Sequence, residues 1–280
     1  MVRGLRPVLL GRPIAGLQVR DPLLVRGCSA RELEARARGV VAQVFRRGKW
    51  VVISLDQPAG LIVIQPRMTG GFWLVEPHRP EHVRLTFRLL NPDAIVWYCD
   101  ARRLGRICWF DGPAEAEQAF ARAHGPDALQ ISRAELAARL RRTRRGVKPA
   151  LMDQRLVAGI GNIYADEILF AARIHPERTA ARLTAAELDR LHQAIHDVLT
   201  QAIAAEGSSF DAGYRTVLGL EGGFLASNAM YGRKDLPCRA CGRPIRKTQI
   251  AGLRGRPTYL CPHCQRPPRR PLHRRRRLRP

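Results

Sequence analysis

The sequence predicts an α+β multidomain protein: an N-terminal β-sandwich or barrel with a flanking helix, a helical domain, and a small C-terminal zinc-finger β-hairpin. Three observations lead there. Short β-branched runs fill residues 38 to 110, the periodicity turns helical after "FDGPAEAEQAFARAHGPDAL", and four of the seven cysteines form two C-x2-C pairs.

Taken in order, the opening "MVRGLRPVLLGRPI" places Val2, Leu5, Val8 and Leu9 at helical spacing, with no Ser, Thr, Asp or Asn ahead of them to cap the helix. The segments "VVAQVF", "KWVVISL", "GLIVIQP", "HVRLTFRLL" and "AIVWYCD" read as strands divided by Gly, Pro and Asp signals. The opening helix is expected to lie against them. Ser132 with Glu135, and Thr184 with Glu187, have the spacing of capping boxes. Leu188, Leu191, Ile195, Val198 and Leu199 form one apolar stripe. The expected divisions are 1–124, 125–225, 226–266 and a basic tail over 267–280, whose Pro/Arg composition builds no core.

Composition narrows the partner. There are 48 Lys+Arg against 24 Asp+Glu, a net charge of +24, and a pI near 11.3. Such an excess points to a polyanion, with nucleic acid first. No apolar run approaches the roughly 18 residues that a spanning helix needs, and no signal peptide is recognisable, so a membrane partner is not expected and a cytoplasmic location is. Cys28, Cys99 and Cys108 stand singly and are read as inert thiols rather than parts of a disulfide framework.

Cys238 and Cys241 form one knuckle, and Cys261 and Cys264 the other. Four thiolates at this spacing close a tetrahedral site around one structural Zn2+, with no position left for water. His263 lies between the second pair and is read as a surface residue. The intervening hairpin carries Arg243, Arg246, Lys247, Arg254 and Arg256, which can reach phosphates. Upstream, Gly159 and Gly161 sit in a turn between two helices, where glycine lets backbone N–H groups approach a phosphate and Asn162 begins the next helix.

These segments carry a resemblance. "GIGNIYADEILFAARIHPERTA", "CRACG…RGRPTYLCPHCQ", "RRGKWVVISL", "PRMTGGF" and "DARRLGR" occur in the order found in bacterial formamidopyrimidine-DNA glycosylases, which excise oxidised purines such as 8-oxoguanine. The likeness covers residues 1 to about 266. It implies a β-sandwich, a helix–two-turn–helix domain over 125–225, and a monomer acting on double-stranded damaged DNA, with the damaged nucleotide flipped out of the stack. It also implies roles for residues. Asn162 and Arg256 match phosphate-gripping positions, and Arg144 is counted with the DNA contacts. Lys49 matches a phosphate contact and proton donor in strand cleavage, and Arg256 is implied in the second elimination step. Met68 and Arg102 match two members of the wedge that fills the gap left by the base, and Leu104 stands where the family usually has Phe. Pro80 replaces a DNA-contacting His, with His82 nearby but out of that column. The loop "DAGYRTVLGLEGGFLASNAMYG" matches a region that closes over the extruded base.

The family's nucleophile is an N-terminal proline amine, with an adjacent Glu. An α-amine has a pKa of roughly 8 against about 10.4 for Lys, so more of it is unprotonated at neutral pH. Neither residue is in this sequence. Met1 aligns roughly nine residues into the family pattern, a span of up to ~13 Å in a helix. Two explanations are open: a start codon placed too far downstream, or a truncated protein that binds DNA without cleaving it. The functional alternatives are a non-catalytic zinc-ribbon protein that binds damaged DNA and an endonuclease-VIII-like glycosylase for oxidised pyrimidines. Met68 with Arg102 argues against the latter.

The tail yields a test. Removing residues 267–280 should flatten the dependence of log K on log salt for duplex binding. An unchanged slope would show that the tail makes no contact with DNA.

Overall fold

The structure, a computed structural model, describes residues 1–208 and 215–267. The tail from residue 268, and residues 211–214 of the loop matched above, therefore lie outside the described residues. The chain forms two compact units, each from non-contiguous stretches. The first comprises Met1–Ile131, Asp153–Ile160 and His196–Asn228, and the second Ser132–Met152, Gly161–Ile195 and the residues from Ala229 onward.

The first unit opens with α1 (Val2–Leu9), β1 (Pro13–Val19), β2 (Val25–Arg26) and α2 (Ala30–Arg36). It continues through β3 (Gly39–Arg47), β4 (Trp50–Asp56), β5 (Gly60–Gln65), β6 (Gly70–Trp73), β7 (Val83–Leu89), β8 (Ala94–Asp100) and β9 (Arg106–Phe110) to α3 (Pro113–Ala123). All nine strands hydrogen-bond in one sheet, in the order β2-β9-β5-β4-β3-β1-β7-β8-β6. The corner is β1. It meets β3 only at Pro13↔Val40 and Ile14↔Gly39, and past an irregularity between Ile14 and Gly16 it follows β7 as far as Val19↔Leu85. A bulge of this kind lets a strand pass from one half of a sheet to the other.

The sheet therefore folds over on itself, and the expected sandwich is one continuous sheet. Val51, Ile53, Ile62, Ile64 and Ile107 from one half share a buried core with Leu85, Phe87, Val96 and Tyr98 from the other. Leu5 and Leu9 of the uncapped opening helix enter the same core, as does Leu33 of α2. Burial alternates along β7, the signature of one covered face. The runs in β4 and β5 do not alternate, because Ala116 and Phe120 of α3 cover Val52, Leu61 and Val63 on the outer face.

The remaining elements are α4 (Arg133–Arg141), α5 (Val147–Met152), α6 (Asn162–Ala171), α7 (Ala185–Ala204), α8 (Phe224–Ser227), β10 (Arg246–Thr248) and β11 (Thr258–Leu260). The Ser132 hydroxyl accepts from the Glu135 amide at 3.2 Å. Thr184 and Glu187 form a reciprocal box, with bonds of 3.2 and 2.7 Å. All five members of the α7 stripe are buried.

Phe120→Ala should lower the unfolding free energy by about 3–5 kcal/mol, the usual cost of removing a buried ring. Denaturant titration checks this, and a cost under about 1 kcal/mol would mean the outer face is not packed as described.

Candidate nucleic-acid interface

In the first unit the predicted wedge residues lie on two loops joined by one buried carboxylate. Asp100, at the end of β8, is wholly buried. Its Oδ2 accepts from the Gly105 amide at 2.6 Å, and its Oδ1 accepts from the Thr69 hydroxyl. The Thr69 hydroxyl in turn accepts from the Arg102 amide at 3.2 Å. Met68, Arg102 and Leu104 are thus held out from a shared base, with Met68 63% and Leu104 41% exposed. Sixty-three per cent is high for a methionine, which normally fills a core. Glycine is required at 105, since a Cβ there would lie 2.2 Å from the Tyr98 hydroxyl. That hydroxyl has no hydrogen-bond partner among the described residues, and burial pushes its pKa up.

Lys49 stands at the β3–β4 turn. Its Nζ donates to the Ile160 carbonyl at 2.9 Å, and the Gln154 carboxamide donates to the same oxygen at 2.9 Å. The Gly159 amide donates to Gln154 Oε1 at 2.9 Å, so this N–H, expected to face a phosphate, is engaged within the turn. On the other side of the hairpin Asp127, 2% exposed, accepts from both terminal nitrogens of Arg46 at 2.7 and 2.8 Å, from the Gly48 amide at 2.7 Å and from the Leu129 amide at 3.0 Å. The chain has only four lysines among its 48 Lys+Arg, at positions 49, 148, 234 and 247.

In the second unit the buried Lys148 of α5 faces the buried Asp166 of α6 at 2.7 Å, both fully excluded from solvent. Besides this ion pair to Asp166 Oδ1, the ammonium donates to the Pro257 carbonyl at 3.0 Å and to the Thr258 hydroxyl at 3.0 Å. The other Asp166 oxygen accepts from the Tyr259 amide at 3.0 Å. Burial pushes the Asp166 carboxyl up to about 7 and the Lys148 amine down, each opposed by the partner's charge. Next along α6, Glu167 accepts from the amides of Ala229, Met230 and Tyr231 at 2.7, 2.9 and 2.8 Å. Asn162, the first residue of α6, donates to the Pro257 carbonyl at 3.1 Å. The two predicted phosphate grips, Asn162 and Arg256, are therefore neighbours across that single carbonyl. Arg256 is exposed, and so is Arg144 just before α5.

The zinc ligands also converge. The four sulfurs of Cys238, Cys241, Cys261 and Cys264 lie within 4.8 Å of one another. Cys238 and Cys264 are 3.9 Å apart, and Cys241 and Cys261 3.5 Å. Zn–S bonds of about 2.3 Å in a tetrahedron place sulfurs roughly 3.8 Å apart, so the set fits one Zn2+ with all positions filled. His263 is exposed and outside the set. β10 and β11 form the expected hairpin, with Arg243, Arg246, Lys247, Arg254 and Arg256 all exposed. Burial raises the pKa of Cys28, Cys99 and Cys108, which suits unreactive thiols.

A folded β-sheet unit, a two-turn helical motif and a four-cysteine ribbon stapled to that motif define the class of zinc-ribbon helix–two-turn–helix proteins. The sequence models that match are the formamidopyrimidine-DNA glycosylase N-terminal domain over residues 1–107, the H2TH domain of the same enzymes over 123–212, and the zinc finger found in FPG and IleRS over 235–267. The formamidopyrimidine-DNA glycosylase of Thermus thermophilus is 39% identical over 94% of each chain, and that of a Synechococcus strain 41% over 79% of each. Among solved structures, the Thermus thermophilus MutM (Fpg) protein superposes with a TM-score of 0.80 at 37% identity, covering 94% of this chain and 95% of that one. Lactococcus lactis Fpg in complex with abasic-site DNA gives 0.83 at 28%, covering 95% and 96%. The chain belongs to the formamidopyrimidine-DNA glycosylase family.

Sequence reasoning passes over Lys148, Asp166, Glu167, Asp127, Asp100 and Gln154. The adjacent acids in "NIYADEILFA" are the available signal, since a helix otherwise so apolar does not bury two carboxylates without partners.

Asp166→Ala alone should cost about 3–5 kcal/mol, because it leaves the Lys148 cation buried and uncompensated. Adding Lys148→Met should recover most of that loss. Denaturant unfolding of all four members of the cycle measures it, and simply additive losses would refute the pairing.

Proposed function

We propose that this chain is a DNA repair glycosylase and AP lyase that flips out and excises oxidised purines, 8-oxoguanine and formamidopyrimidines, and nicks the strand by β,δ-elimination, with the family's N-terminal Pro-Glu pair not in this sequence. The observation that carries this reading is the Pro257 carbonyl. It ties the start of α6 to the zinc hairpin, so that Asn162 and Arg256 present a paired grip for consecutive phosphates. The Asn162 side-chain nitrogen has two hydrogens and gives one to Pro257. Its other contact, to the Tyr231 hydroxyl, is long at 3.5 Å, and a charged phosphate oxygen is the stronger acceptor.

The wedge loops supply the second half of the work. A base is unreachable within the stack, and its removal leaves a gap that must be filled. Met68 and Leu104 fill apolar volume, and the planar Arg102 guanidinium pairs with the orphaned base. Arg144 adds a phosphate contact at the start of α5. Lys49 contacts phosphate beside the lesion and donates a proton as the strand is cut. An amine attacks C1′, the glycosidic bond breaks and the oxidised base departs, and the resulting iminium draws off electrons during both eliminations. Zinc supplies no chemistry beyond holding the ribbon. We read the protein as a monomer of the bacterial cytoplasm, a location supported by its bacterial relatives and by the lack of a helix, among the described residues, long and apolar enough to cross a membrane.

Arg256→Ala should weaken binding to a duplex with a stable abasic analogue, whatever the flanking sequence, and lower the salt slope by about 1. Borohydride reduction with an 8-oxoguanine duplex, followed by peptide mapping, locates the attacking amine. An adduct at Lys49 would overturn its role as proton donor. Equal affinity for lesion and undamaged duplexes would overturn the reading as a whole.

A further inference from the structure

We infer that Asp127 and Gln154 are positioning residues that set the reach of Lys49, one by fixing its backbone and the other by fixing the acceptor at its tip. The inference rests on the reading of Lys49 as a phosphate contact and proton donor.

The backbone is gripped on both sides of the Gly48 residue. Its N–H donates to Asp127 Oδ2 at 2.7 Å, and its carbonyl, the start of the peptide bond to Lys49, accepts from Arg46 Nη1 at 2.6 Å. Gly48 adopts a φ of +56°, and a Cβ there would approach the Ala158 methyl to 3.1 Å, so the turn has little room for another path. Asp127 is buried and its negative charge is met by the bidentate Arg46, so it anchors the turn without drawing the Lys49 ammonium towards itself.

The tip is held by a different device. The Ile160 carbonyl accepts from Lys49 and from Gln154, each at 2.9 Å, within the capacity of an oxygen with two lone pairs. Gln154 also accepts from the Gly159 amide, so one carboxamide spans the turn and aims that carbonyl. A neutral carbonyl gives up an ammonium to a phosphate oxygen more readily than a carboxylate would, because the charged acceptor makes the stronger bond. Lys49 is therefore tethered at its tip before DNA arrives, in a chain that otherwise uses arginine almost exclusively for positive charge.

Competitive acylation of the full chain tests this, with each lysine read by mass spectrometry. The four lysines separate cleanly: Lys148 is buried and sets the floor, and the exposed Lys247 is the internal reference. Gln154→Ala and Asp127→Asn should each raise the Lys49/Lys247 rate ratio several-fold, a change that general loss of stability would not confine to one lysine. Both variants should bind the abasic-analogue duplex more weakly at an unchanged salt slope, whereas Lys49→Ala should lower the slope by about 1. If Asp127→Asn does not fold, the ratio for Gln154→Ala decides alone. An unchanged ratio overturns the inference and leaves the role of Lys49 standing. An unchanged slope for Lys49→Ala overturns that role and the inference with it.

Discussion

The buried Lys148–Asp166 pair is the constraint on which the second unit depends. A ribbon as small as residues 238–264 has little core, chiefly Ile245 and Tyr259 with the cysteines packed against Met230, and cannot fix its own orientation on apolar contact alone. The ion pair gives it a defined seat. Lysine presents its hydrogens to β11 and the residue before it, and aspartate takes the amide of Tyr259. Dehydrating both charges is costly, and the cost is recovered only where the ion pair closes to 2.7 Å and the remaining hydrogen bonds to the ribbon are made. Glu167 repeats the arrangement a residue later with three amides, and Gln265 repeats it with the Ile174 carbonyl and the Cys261 amide. Metal binding closes the ribbon, while these polar side chains decide which way its basic tip points.

The first unit solves a similar problem with other means. The side chains proposed to meet DNA stand on loops, which have no ladder of hydrogen bonds to hold them. Buried carboxylates do it instead: Asp100 under the Met68 and Arg102 loops, and Asp127 under the Lys49 turn. Each ties a nearby amide to a segment far away in sequence, Asp100 through the Thr69 hydroxyl and Asp127 through the Gly48 amide. The exposed residues above are then free to vary in chemistry, since the conformation beneath them is set by a buried group.

Much of this is legible in the sequence, and the omissions have physical reasons. The five strongest strands, the α7 stripe and the cysteine quartet follow from period and spacing, which are local properties. β1 is hidden because "PIAGLQV" contains the Pro and Gly that a corner needs and a regular strand avoids. β6 begins with two glycines, and α2 has only seven residues despite its full Ser29–Glu32 capping box. The wedge and grip residues come through family likeness. Their supports do not, because Asp127 and Gly48, or Lys148 and Thr258, are brought together only by the fold, and a lone acidic residue in a loop reads as solvated. The continuous sheet is likewise hidden, since it depends on two residue pairs at the foot of β1.

That folded sheet also shapes how the molecule behaves in company. Doubling over leaves two free margins, β2 with two residues and β6 with four, and β10 of the ribbon is only three residues long, two of them the basic Arg246 and Lys247. A strand margin recruits another chain in proportion to its length and flatness, and like charges repel any copy of itself. Crowded along a stretch of nucleic acid, such molecules have almost no template for growing one sheet into the next.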